Sequence, residues 1–320
     1  MGHAHHRRPR HRRRRRVPTG RVALTRGVAT AIILVSALGF ALQSSRYSFG
    51  APRPHSSTTV AGGTTTTSPA TSTSAPVSSR IEDPFHSASL ATYLATRSDN
   101  VTAALYDVNT GKTYIYRPGV QEVTASMAKI DILAVLLWEC QKEHRALSAK
   151  EKKQATKMID ASDNKAAESL WVTIGQLFPF TKFNDDIHFT QTSPNWDWGL
   201  LETTPRDQLQ LLKAIVLPNK YLDPTSQSYE QHLMESVEGY ERFGIPTGVP
   251  ASAQVGVKNG WYPEKKTGWQ VNSAGYVHLG RTFYLAVVMT ASNPSEGYGR
   301  EVVNRVAQAF WNFESSRAGT

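Results

Sequence analysis

The chain has 320 residues, enough for one large domain with appendages, and carries 36 Lys and Arg against 26 Asp and Glu, a formal net charge of +10. Ten of the cations are arginines within residues 1–26, a stretch with no acid, so the other 26 cations balance the 26 acids. The basic character thus belongs to one tail, which argues against a nucleic-acid-binding fold, and the single cysteine, Cys140, excludes an intramolecular disulfide.

An uncharged apolar run, Gly27–Leu42, follows the basic tail. Arginines first and apolar residues second is the order of a signal-anchor whose basic end stays inside the cell. The reading is a basic cytoplasmic tail over 1–26 and a transmembrane signal-anchor over 27–45, left uncleaved. Residues 46–80 are rich in Ser, Thr, Pro, Ala and Gly and bury too little to fold, so they read as a disordered linker. Residues 81–320 then form the globular domain, held outside the cell membrane by a single pass.

Within that domain, Leu90, Tyr93 and Leu94 have helical spacing over Ser87–Arg97. Val101–Val108 and Lys112–Arg117 read as strands around the hairpin signal Asn109-Thr110-Gly111. A predominantly helical stretch runs from about Ser126 to Val237, with Cys140 read as a small core residue. Strands return at Ala253–Lys258, Val271–Val277 and Phe283–Thr290, and a last helix covers Gly299–Phe313. Two strands early and three late predict an α+β fold: a five-stranded antiparallel sheet flanked by helices, with an inserted all-helical lobe. The cleft between lobes is the expected site.

Three short motifs fall where chemistry can use them. Ser126-Met127-Ala128-Lys129 heads an apolar helix, and positions i and i+3 share a helix face, so the Lys129 amine can reach the Ser126 hydroxyl. A serine needs such a base to become a nucleophile, and a lysine serves when burial or a nearby cation lowers its pKa. Ser162-Asp163-Asn164 lies between two helical runs and alone reads as a helix cap. Lys258-Asn259-Gly260-Trp261 ends a strand, where Asn-Gly is a turn signal.

In this order and context the three motifs resemble the penicillin-binding protein and β-lactamase superfamily, whose signatures are Ser-x-x-Lys, Ser-Asp-Asn and Lys-Thr-Gly. Thr203-Thr204-Pro205 also looks like the corresponding segment of class A β-lactamases. The resemblance covers roughly residues 84–315. It implies that Ser126 is acylated, Lys129 is its general base and Ser162 passes the proton to the leaving nitrogen. Asn164, Asn259 and Gly260 would contact substrate, and Lys258 would supply positive charge. The backbone amides of Ser126 and Trp261 would form the oxyanion hole, and Asp163 would buttress its own turn. The literal Lys266-Thr267-Gly268 is set aside, because it lies in a polar, Pro-containing stretch that reads as a hairpin loop.

Two departures stand out. The spacing from Ser126 to Ser162 is shorter than in class A enzymes, and the Glu-x-x-Leu-Asn loop that such enzymes carry ahead of Thr-Thr-Pro is missing. Asp185, Asp186, Asp197 and Glu202 are the nearest acids and read as loop or cap residues. The resemblance therefore implies a surface-tethered acyl-transfer serine hydrolase that forms an acyl-enzyme with a β-lactam or a peptidoglycan stem peptide and releases it slowly. The alternative is a non-catalytic peptidoglycan-binding pseudoenzyme of the same fold. No metal, cofactor or nucleic-acid partner is implied, and the expected state is a monomer.

Overall fold

The structure, a computed structural model, describes residues 82–97, 101–237 and 239–318. The expected basic tail, apolar anchor and linker lie outside the described residues. Among the described residues no helix is long and apolar enough to cross a membrane.

A short helix, α1 (Ala88–Ala95), precedes the hairpin of β1 (Val101–Asp107) and β2 (Thr113–Tyr116). The turn forms because the Asp107 carboxylate accepts from the Asn109 and Thr110 amides at 2.9 and 3.2 Å and Gly111 supplies φ +70°. The later strands are β5 (Gln254–Glu264), β6 (Gly268–Leu279) and β7 (Thr282–Asn293). All five pair antiparallel in the order β2-β1-β7-β6-β5, which leaves β5 at an edge. On the central strand β7, consecutive residues from Tyr284 to Ala291 are buried, so both faces of the sheet are covered. The covering helices are α8 (Glu296–Ala318), packed on β6 and β7, and α6 (Pro205–Val216), packed on β7 and β1.

The helical lobe is built on α2 (Ala128–Lys142), whose Ile130, Ile132, Leu133, Val135 and Leu136 are all buried. A helix that is apolar all round needs cover on every side. Here α3 (Ala149–Asp160), α4 (Asn164–Thr173), α5 (Leu177–Asp186) and α7 (Pro224–Ser236) provide it. A two-stranded sheet absent from the sequence reading, β3 (Glu122–Val123) with β4 (Glu202–Thr203), pins the chain just ahead of Ser126.

The late strands outrun their sequence-based bounds, and the cause is instructive. β5 continues straight through Asn259-Gly260, which is not a turn; the turn is at Lys265–Thr267. The polar residues beyond the expected strand ends, Asn259 and Asn293, are buried inside the sheet and hydrogen-bonded, as are Asn272 and Ser273 within β6.

Candidate active site

The site begins with one tight turn. Thr124 N–H donates to the Leu201 carbonyl at 2.8 Å, and the Asn272 amide donates to the carbonyls of Val123 and Thr124 at 2.7 and 3.2 Å. Ala125 then takes a left-handed φ of +49°, and Ser126 sits in a 3-10 turn, Ala125–Met127, that runs into α2. Such a backbone conformation costs an alanine roughly 1–2 kcal/mol and persists because its surroundings hold it. Gly260 of β5 lies against this turn: a Cβ there would meet Met127 N and Thr124 O at 2.6 Å and Ser126 N at 2.8 Å. Only glycine allows that approach, which brings the edge of β5 at Trp261 beside the Ser126 amide.

Lys129, one helical turn beyond Ser126, is fully buried. Its Nζ lies 2.8 Å from Ser126 Oγ, 2.6 Å from the Ser162 carbonyl, 3.0 Å from Ser162 Oγ and 2.7 Å from Asn164 Oδ1. Burial, with help from the nearby Lys258 charge, lowers its pKa to about 7, against the pull of Glu241 and Asp163. A neutral amine has two N–H groups and one lone pair. The N–H groups satisfy the Ser162 carbonyl and Asn164, and the lone pair is left to accept the Ser126 proton.

Ser162 bridges the two lysines. Its backbone is also left-handed, φ +52°, and its hydroxyl is 3.0 Å from both Lys129 Nζ and Lys258 Nζ. Asp163 caps α4 by accepting from Ala166 N–H at 2.8 Å, and Asn164 starts that helix. Lys258 is also wholly buried, on β5, with the Glu241 carboxylate 3.7 Å away. Burial lowers its pKa to about 8, and Glu241 opposes the shift. The three motifs thus make one continuous hydrogen-bonded path, Ser126–Lys129–Ser162–Lys258. Lys266, the rejected alternative, is exposed on the β5–β6 turn.

One expectation needs correction. Asn259 does not face substrate: it is fully buried and donates to the carbonyls of Glu241 and Phe243 at 2.8 and 2.9 Å. Gly260 is buried too, and its part is the close approach described above. Strand alternation explains Asn259, since Lys258 points into the site and the next side chain must point away, whereas Gly260 returns to the Lys258 side against the Ser126 turn. Lys258 itself meets the site through Ser162, from behind the cleft.

The cleft in front of Ser126 has a volume of about 650 Å³ and is walled by Asn164, Glu168, Asp197, Trp198, Trp261 and Tyr262, among others. Asp197 caps the short turn Trp198–Leu200 by accepting from Gly199 N–H at 3.0 Å. Trp198 places its ring 5.1 Å from Lys129 Nζ and donates from Nε1 to Glu168 at 3.3 Å. Asp185 and Asp186 end α5, where Asp186 pairs with Lys182 at 2.8 Å, and Glu202 is exposed on β4. A separate cavity of about 390 Å³ between α2 and α7, lined by Cys140, Arg145 and Tyr229, holds none of these residues. Among the described residues no group of His, Cys, Asp or Glu is arranged to hold a metal.

Sequence reasoning missed Glu168, Trp198, Glu241 and Asn272. Glu168 was within reach, because it follows Asn164 by one helical turn on the same face. The other three arrive through long-range packing and leave no local signal.

Fold and site together define a class A β-lactamase-like serine hydrolase of the penicillin-binding protein and β-lactamase superfamily. The chain belongs to the beta-lactamase enzyme family, whose model matches residues 141–313. Solved structures agree on the fold. A class A β-lactamase from Bacteroides cellulosilyticus DSM 14838 superposes with a TM-score of 0.62 at 14% identity, covering 71% of this chain and 96% of that one. A β-lactamase from Chitinophaga pinensis DSM 2588 gives 0.61 at 19% identity, covering 69% and 96%. A class A β-lactamase from Mycobacterium abscessus gives 0.59 at 17% identity, covering 69% and 97%. No curated protein matches the sequence.

Proposed function

We propose that the protein is a surface-tethered serine acyltransferase-hydrolase that forms an acyl-enzyme on Ser126 with β-lactams or with peptidoglycan stem peptides. The observation that carries this reading is the buried amine of Lys129, 2.8 Å from Ser126 Oγ and linked through Ser162 to a second buried lysine. Lys129, its pKa lowered to about 7, takes the Ser126 proton in its neutral form as the hydroxyl attacks the acyl carbon. The amides of Ser126 and Trp261 receive the negative charge that develops on the carbonyl oxygen. Ser162 hands the proton to the leaving nitrogen, and the Lys258 charge favours the neutral form of Lys129. Asn164, which lines the cleft, holds the substrate's amide. With no Glu-x-x-Leu-Asn motif ahead of Thr203, release of the acyl group is the slow step.

Covalent labelling tests this reading. A fluorescent penicillin should label the protein one to one, and peptide mapping should place the label on Ser126. A protein that binds peptidoglycan fragments yet takes no label would instead be the pseudoenzyme. The tether belongs to the same proposal: protease added to intact cells should remove the domain from Ile81 onward, because the arginine-rich tail keeps residues 1–26 inside. A domain protected until the cells are lysed would reverse that topology.

A further inference from the structure

We propose that Glu168 activates the water that releases the acyl group from Ser126, an inference that rests on the acyl-transfer reading above. The Glu-x-x-Leu-Asn motif that supplies the corresponding carboxylate in class A enzymes is missing here, so the candidates are the acids that reach the cleft. Most of the nearby acids are committed elsewhere. Asp163 caps α4, Asp207 is buried and accepts from Thr190, Gln191 and Thr192, Asp186 pairs with Lys182, and Glu241 faces Lys258. Two acids line the cleft, Asp197 and Glu168. Asp197 holds the turn that carries Trp198.

Glu168 is placed differently. It stands one turn after Asn164 on α4, on the face that Asn164 presents to Lys129. One carboxylate oxygen accepts from Trp198 Nε1 at 3.3 Å, and the same indole lies 5.1 Å from Lys129 Nζ. The carboxylate is therefore oriented from both sides, by its helix and by Trp198. Among the described residues no donor binds its second oxygen, which leaves that oxygen to accept from water in the cleft next to Ser126.

The step balances without a further reagent. Water attacks the carbonyl carbon of the Ser126 ester while Glu168 takes one of its protons. The bond from that carbon to Ser126 Oγ then breaks, the proton returns to Ser126 Oγ, and the acyl group leaves as a carboxylic acid. Glu168 reaches the water from a helix rather than from a dedicated loop, and it carries whatever turnover the enzyme has.

The experiment uses the full chain with benzylpenicillin and follows both formation and decay of the Ser126 adduct by intact-mass spectrometry. Glu168→Gln should lengthen the adduct lifetime by about 10²-fold or more, the usual cost of losing a general base, and slow formation of the adduct far less than its decay. Glu168→Asp should recover part of the loss. Equal lifetimes in the wild type and Glu168→Gln would overturn the inference and leave the Ser126 reading intact. So would a longer lifetime in Asp197→Asn with none in Glu168→Gln, which would move the role to Asp197. A wild-type protein that shows neither adduct nor turnover would overturn the reading of Ser126, and the inference with it.

Discussion

On one side of the cleft, Lys129, Ser162 and Lys258 are packed between α2, α4 and β5, with both lysines fully buried and every amine bonded. On the other side, Trp196, Asp197 and Glu168 stand largely in solvent on a short turn and a helix face. On the proposed function, the first side serves to remove a proton from Ser126. The second lacks the Glu-x-x-Leu-Asn motif of class A enzymes, and Asp197 and Glu168 are the carboxylates that line it. The contrast teaches that the two halves of acyl transfer need different environments: a desolvated amine for attack and an accessible, held water for release. This fold preserves the first more completely than the second.

The contrast breaks most completely at its first atom. Ser126→Ala should abolish covalent labelling by fluorescent penicillin while circular dichroism stays unchanged, because the hydroxyl sits at the cleft and outside the apolar core. Labelling at full rate in that variant would remove Ser126 from the chemistry.

Next in size is the base. Lys129→Ala should slow acylation by about 10²–10⁴-fold, measured by stopped labelling with penicillin, since the general base is lost. Lys258→Ala should follow with a loss on the order of 10²-fold, because Ser162 loses its charged partner and Lys129 the neighbouring charge that favours its neutral form. Lys266→Ala, in the exposed turn, should change little. The opposite ranking of the two lysines would return the literal Lys-Thr-Gly to the site.

How much of this was legible in the sequence depended on how local each signal is. The Ser126–Lys129 pair needs only helix periodicity, and the hairpin at Asn109–Gly111 needs only turn chemistry. The choice of Lys258 over Lys266 rested on the apolar run before Lys258, and the structure places Lys258 on the buried face of β5. Asn259-Gly260 misled because the pair that favours a turn here serves a different geometry: glycine admits the Ser126 turn, and the asparagine ties the strand to Glu241 and Phe243. Asn272 joins the site across more than a hundred residues, and Glu241 meets Lys258 from a separate 3-10 turn ahead of β5, where no spacing rule reaches.

The smallest effect concerns stability rather than rate. Inside the helical lobe, Asp131 and Glu230 are two buried carboxyl groups with a single amide, from Asn184, donating to Asp131 at 3.1 Å. Burial raises Asp131 from 3.8 to about 8, and burial with the neighbouring Asp131 raises Glu230 well above its ordinary value. The folded protein therefore holds protons that the unfolded chain releases. Their contribution is complete below the unfolded values near pH 4 and is lost as pH rises toward 8, at roughly 1 kcal/mol per pH unit for a group shifted this way. The melting temperature should fall between pH 5 and pH 8, and Asp131→Asn should flatten that fall. A slope unchanged by Asp131→Asn would mean that Asp131 is already ionised in the fold.

Lys129 activates Ser126, on this reading, because burial and the neighbouring Lys258 lower its pKa to about 7, so that neutral amine is present near physiological pH. The direct measurement is the pH dependence of the acylation rate constant with benzylpenicillin, read by intact mass at short times. The rate should rise as pH passes about 7, where the Lys129 proton leaves, and decline above about 8, where Lys258 loses its charge. Lys129→Ala should remove the rising limb. A rate that stays flat from pH 6 to pH 9, or a rising limb that survives in Lys129→Ala, would contradict the account.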